Sequence, residues 1–216
     1  MRVTETPDGQ ALLTALTTEH FTLQGARTQT MSESWSRASL YIGAVSSALV
    51  ALGFIGQLSE VGATFDTFAL TVLPTLYLLG VFTFVRIVEC GFEDFRYGVA
   101  INRIRHYYLE LAGDRANLFL LSGHDDGGGV FGNVGVRAEG RTQFLTFGTV
   151  VAVINSVVGG SAIAIALGAF ADESLAVAAS VGGAVAVVSL FALLRFADRM
   201  LAERAGELTS LFPSPR

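Results

Sequence analysis

Four stretches of the chain contain no acidic, basic or histidine side chain: residues 38–59, 67–85, 142–171 and 174–194. Each reaches or exceeds the roughly 17 to 25 residues that a helix rising about 1.5 Å per residue needs to cross a hydrocarbon core about 30 Å thick. The pattern predicts four transmembrane helices, over residues 40–58, 68–88, 144–170 and 175–194. A polar stretch, residues 86–143, separates the second from the third. In its first part Arg86, Glu89, Glu93, Arg96 and Arg103 fall on one side at helical spacing, and Val88, Phe92, Phe95 and Val99 fall on the other. Span two and this amphipathic segment therefore read as one helix over residues 68–112, bent near Leu70 by Pro74, whose ring clashes with the carbonyl four residues earlier.

Gly113-Asp114 is a stop signal for that helix, and residues 118–121 form an apolar run too short to span anything. Gly127, Gly128 and Gly129 predict a flexible loop, followed by a polar linker to Arg141. Beyond span four, Arg195, Asp198, Arg199 and Glu203 alternate with Phe196, Met200 and Leu201, so the helix continues for three turns or more until Phe212-Pro213-Ser214-Pro215. At the other end, residues 1–9 read as disordered with a turn at Pro7-Asp8-Gly9, before a packed helix starting near Gln10. Trp35 and Tyr41 suit the headgroup level and Arg37 an inner anchor. The expected fold is an all-α membrane protein of four transmembrane helices arranged as two hairpins, with spans two and four extended into the cytosol. Its regions are a cytosolic amino-terminal segment (1–39), a first hairpin (40–88), a cytosolic helix and Gly-rich loop (89–143), a second hairpin (144–194) and a cytosolic helix and tail (195–216).

Charge gives this arrangement a direction. All 14 basic residues are Arg, and all lie before the first span, between the second and third, or at and beyond the inner end of the fourth. The two short connections, 60–66 and 172–173, carry only acids. The asymmetry predicts both termini and the central stretch in the cytosol. Arg without Lys, in a chain rich in Ala, Val and Gly, points to a GC-rich bacterial genome, hence a multi-pass protein of the bacterial plasma (inner) membrane. With 51% hydrophobic residues, a mean hydropathy of +0.54 and a net charge of −5, there is no basic surface for nucleic acid. Cys90 is the only cysteine, so no intrachain disulfide forms. No early apolar run reads as a signal peptide, leaving span one to direct insertion.

Candidate chemistry is sparse. His124-Asp125-Asp126 is the one triplet with metal-ligand character, and an ordinary solvated loop is the competing reading. His106 and Glu110, four apart on one helix, lack an HExxH-type motif. No nucleophile elbow, Cys/His arrangement or zinc spacing is present, so neither an enzyme nor a cofactor is expected. Within the spans the polar side chains include Ser46, Ser47, Asn155 and Ser156, with Gln57 and Glu60 at the outer end of span one. They are candidates for lining a pore or for helix packing. Small residues four apart at Ser156, Gly160, Ala164 and Gly168 mark a close-packing face on span three, matched by Ser180, Gly182, Gly183 and Ala186 on span four. Arg86, Glu89, Glu93, Arg96, Arg103, His106 and Glu110 are candidates for a surface that takes a cytosolic protein or small ligand.

The runs SRASLYIGAVSSALV (36–50), INRIRHYY (101–108) and LSGHDD (121–126) resemble an uncharacterised bacterial four-span integral membrane protein family over nearly the whole chain. In topology the chain is also similar to Orai-type calcium channels: four spans, cytosolic termini, a short first outer loop and a Ser/Arg approach to a Gly/Ala/Ser/Val-rich first span. That likeness implies a pore lined by span one, with Gln57 or Glu60 at its outer mouth and Arg37 at its inner end. Here Gln57 occupies the end of the span and Glu60 lies already in the loop. The start of span one further resembles that of membrane-disrupting effectors of bacterial anti-phage systems. The expected function is an integral inner-membrane protein that self-associates in the lipid bilayer, with a channel or permeation role. The alternative is a membrane-anchored sensing or interaction module acting through residues 86–143.

Overall fold

The computed structural model describes residues 7–58, 62–135, 147–171 and 173–215, with the side chain of Phe147 outside that description. Five helices account for most of them: α1 (Pro7–Leu58), α2 (Ala63–Ala112), α3 (Gly127–Asn133), α4 (Phe147–Phe170) and α5 (Leu175–Gly206), with a 3-10 turn, Gly113–Leu118, after α2. No strand occurs among the described residues. Four helices, all but α3, are long and apolar enough to cross a membrane.

Pro7 opens α1 and does not precede it in a turn. Its fixed φ suits a first helical position, where an N–H would have no partner in any case. The expected amino-terminal helix and span one are a single helix of 52 residues. α2 likewise runs unbroken through Pro74 and ends where Gly113 takes a φ of +54°, a left-handed conformation that side chains disfavour. At about 1.5 Å per residue, α1 and α2 each measure about 75 Å, well beyond a 30 Å hydrocarbon core.

By its contacts the chain divides into two compact units. One, the apolar unit, comprises Ser34–Glu89 and Phe144–Glu203. The other, the polar unit, comprises Met1–Glu33, Cys90–Gln143 and Arg204–Arg216.

In the apolar unit α1 buries Ala38, Tyr41, Val45 and Leu52, and α2 buries Ala69, Leu73, Leu76, Phe84 and Ile87. Both series step by three, four, seven or eight residues, which keeps one seam of each helix turned to its neighbours. Helix approach is set by glycine. A Cβ on Gly160 would stand 2.4 Å from the Gly182 carbonyl oxygen, and one on Gly182 would stand 2.5 Å from that of Gly160. The expected small-residue faces of spans three and four therefore meet, with Ala164 and Ala186 beside the glycines. Gly168, at the end of that row, has open space around it. The opposite faces carry Leu49, Phe54, Phe82, Val157, Val188 and Phe191, all exposed. Water would oppose so large an apolar surface, whereas lipid chains accommodate it.

In the polar unit, the apolar side of the α2 segment finds partners: Val99 is buried, Phe95 stacks on Phe131 at 5.6 Å, and Phe92 lies under the Arg204 guanidinium at 5.8 Å. The three glycines expected as a flexible loop instead open α3. Asp126 caps that helix by accepting from the Gly129 N–H, and Gly129 packs so closely that a Cβ would stand 2.1 Å from the His124 carbonyl oxygen.

Candidate functional site

Within the polar unit, α2 carries Asn102, Arg103, Arg105 and His106 within little more than one turn. All four engage the loop before α3. Gly123 lets this loop lie on α2, since a Cβ there would come within 2.8 Å of the His106 backbone. Asn102 Nδ2 donates to the His124 carbonyl at 2.6 Å, while Asn102 Oδ1 accepts from Arg105 at 2.6 Å and from Asn133 at 3.0 Å. Asn133 also closes a reciprocal pair with Ser122, accepting from its N–H at 2.8 Å and donating to its carbonyl at 3.0 Å. Three segments are thus tied through two amide side chains.

The His124-Asp125-Asp126 triplet is the anchorage of the carboxyl-terminal tail. Asp125, 2% exposed, accepts from Arg103 Nε at 2.6 Å, Ser210 Oγ at 2.6 Å, the Leu211 N–H at 3.0 Å and the Phe212 N–H at 2.7 Å. Its own N–H donates to the Phe212 carbonyl at 3.1 Å. Arg103 also donates to the Thr209 carbonyl. Asp126 accepts from the Ser214 N–H and Oγ, each at 2.7 Å. His106 stacks flat on Phe212, centroids 3.7 Å apart, and its Nε2 lies 3.5 Å from Glu110.

Burial alone pushes the Asp125 carboxyl up. The hydrogen bonds from Leu211, Ser210, Arg103 and Phe212 outweigh it and hold the group well below the usual carboxylate range. Asp126 is shifted down in the same way, burial being outweighed by Gly129 and Ser214. Both carboxylates are thus acceptors for protein donors. Among the described residues no three His, Cys, Asp or Glu side chains converge on a point that could hold a metal.

The other sequence candidates are dispersed. Arg86 pairs with Glu89 at 3.3 Å in the apolar unit, Glu93 is half-buried and Arg96 is exposed. Ser46, Ser47 and Gln57 are exposed on α1, Ser47 donating back to the Gly43 carbonyl at 2.9 Å. Glu60 lies outside the described residues. Asn155 and Ser156 are buried in the apolar unit: Asn155 Oδ1 accepts from Tyr41 Oη at 3.0 Å, while Asn155 Nδ2 and Ser156 Oγ have no partner among the described residues. Tyr77 and Ser189 join a second pair of spans by a 3.0 Å hydrogen bond between their hydroxyls.

Sequence reading missed Asn102, Asn133, Arg105, the Arg27–Asp94 ion pair (2.7 Å) and the tail residues 209–214. One signal was available: Asn102, Arg103, Arg105 and His106 place polar groups around more of the helix than a single solvated stripe needs. No protein-family model, curated protein or solved structure matches the chain.

Proposed function

We propose that the protein is a multi-pass protein of the bacterial inner membrane whose polar unit, in the cytosol, is a sensing or interaction module. The observation that carries this reading is the fully buried, ionised Asp125 with donors from α2 and the tail. A passive anchor has no need of it, since an apolar contact of similar size would hold the tail at less desolvation cost. A buried ionic group specifies one arrangement of segments and allows it to be exchanged for another. In this reading the spans are two hairpins, α2 and α5 continue into the cytosol, and the tail is the segment that a partner or ligand displaces. Crosslinking and pull-down from native membranes tests recruitment: a partner protein recovered with wild type and altered in yield by Asp125→Ala is expected, and self-products alone would sink it. Topology is tested separately. A reporter active only outside the cytosol should work after Ser59 or Asp172 and fail at Gly128 or after Arg216.

A second reading, a self-associating protein with a permeation role, is favoured by the unpartnered Asn155 Nδ2 and Ser156 Oγ buried among the spans. Reconstituted oligomer should then pass ions or small solutes across liposomes, and zero flux from a folded oligomer would end it.

A further inference from the structure

A pocket of about 110 Å³ lies within the polar unit, between α1, α2 and α3, and both Arg27 and Arg105 line it. Holding one water takes about 10–15 Å³ on this measure, so the pocket has room for a polyatomic ligand. Its walls mix apolar groups, Ile101 and Val130 among them, with Asn102 and Asn133.

The charges do not balance. Asp94 takes Nε and Nη2 of Arg27, at 2.7 and 3.0 Å. Arg105 has only neutral acceptors among the described residues, giving Nη1 to Asn102 Oδ1 and to the Ser122 carbonyl. One carboxylate, held by Arg27, thus stands against two guanidiniums, and Nη1 of Arg27 with Nε and Nη2 of Arg105 remain uncommitted among the described residues. The two amides bring no charge to offset this, and their acceptor oxygens are already engaged: Asn102 Oδ1 takes Arg105 and Asn133, and Asn133 Oδ1 takes the Ser122 N–H.

We propose that this pocket binds a small oxyanion of the phosphate type, free or as the terminal group of a small metabolite, between the guanidiniums of Arg27 and Arg105. Guanidinium forks match several oxygens of one anion at once, and apolar walls strengthen the attraction by lowering the local dielectric. The like charges are already under tension: burial first, and Arg27 second, lower the pKa of Arg105. An anion relieves both. The ligand would also touch the network that holds the loop, since Arg105 and Asn133 both bond Asn102 and Ser122.

This deepens the reading of the polar unit as a sensing module. Binding is measured on purified protein without partners, so a failed pull-down leaves the pocket standing and failed binding leaves partner recruitment standing. The full chain in nanodiscs is titrated calorimetrically with inorganic phosphate and with adenosine monophosphate, and its thermal unfolding is followed against chloride at matched ionic strength. The expected result is saturable binding of at least one of the two, one per chain, with a rise in midpoint that chloride does not give. Phosphate binding alone identifies a free anion, and monophosphate binding alone a phosphorylated metabolite. Arg105→Gln should weaken binding at least tenfold, Arg105→Lys should fall between it and wild type, and Arg115→Gln, at an exposed position, should match wild type. Stabilisation by chloride equal to that by both phosphates overturns the proposal without recourse to any variant. Binding by a folded Arg105→Gln as tight as wild type overturns it too.

Discussion

The two units are held together by opposite means. In the apolar unit backbones touch: the Gly160 and Gly182 pair sets the separation of α4 and α5, and the described hydrogen bonds between spans are few, Tyr41 to Asn155 and Tyr77 to Ser189. In the polar unit side chains reach across space, with Asn102, Asn133, Asp125 and Asp126 as hubs. The difference follows from the surroundings. Where lipid replaces water no hydrophobic force drives helices together, so close packing of small residues must do so. Where water competes for every polar group, only a cluster that satisfies several donors at once fixes a tail of a few residues.

This contrast can be broken from either side. Asp125→Ala should have the largest effect, upward of about 3 kcal/mol, because one carboxylate serves four hydrogen bonds and those to charged groups contribute about 1.5–3 kcal/mol each without adding fully. The tail should become cleavable by protease while the spans stay folded, and unchanged resistance would refute the clamp. Acid should do the same reversibly. The folded pKa of Asp125 is depressed, so its stabilisation is complete above the ordinary value of 3.8 and is lost as pH falls below it toward the folded value. Tail release in mild base, but not in acid, would contradict that sign.

Gly160→Val should cost about 1–3 kcal/mol by forcing α4 from α5, read as a lower unfolding midpoint in detergent with an unchanged tail-cleavage rate. Equal loss of tail protection would show that the two modes of cohesion are not separate. Tyr41→Phe should cost least, about 0.6–1.7 kcal/mol, the range of an interhelical hydrogen bond in lipid. A cost below thermal error would mean that Asn155 finds another donor.

The spans were legible because crossing a bilayer imposes a length and an apolar composition on every residue of the segment. The glycine rows were legible for a related reason: close approach between helices admits few residue types, so Gly160, Ala164 and Gly182 had few alternatives. Nor did the length of α2 need more than the Arg86–Arg103 periodicity. The Gly127–Gly129 run was misread because its local chemistry means a loop in isolation. Only the cap from Asp126 and the contact of Gly129 with His124 make it a helix.

What the sequence determined by itself was what each residue must satisfy alone: an apolar character along each long helix, and a helical period. The tertiary structure alone decided which polar groups meet. Asp125 and Phe212 are 87 positions apart, and Arg27 and Asp94 are 67 apart. No local pattern encodes such pairs, because a carboxylate or a guanidinium reads the same at any position until the fold removes water from around it and supplies the partner.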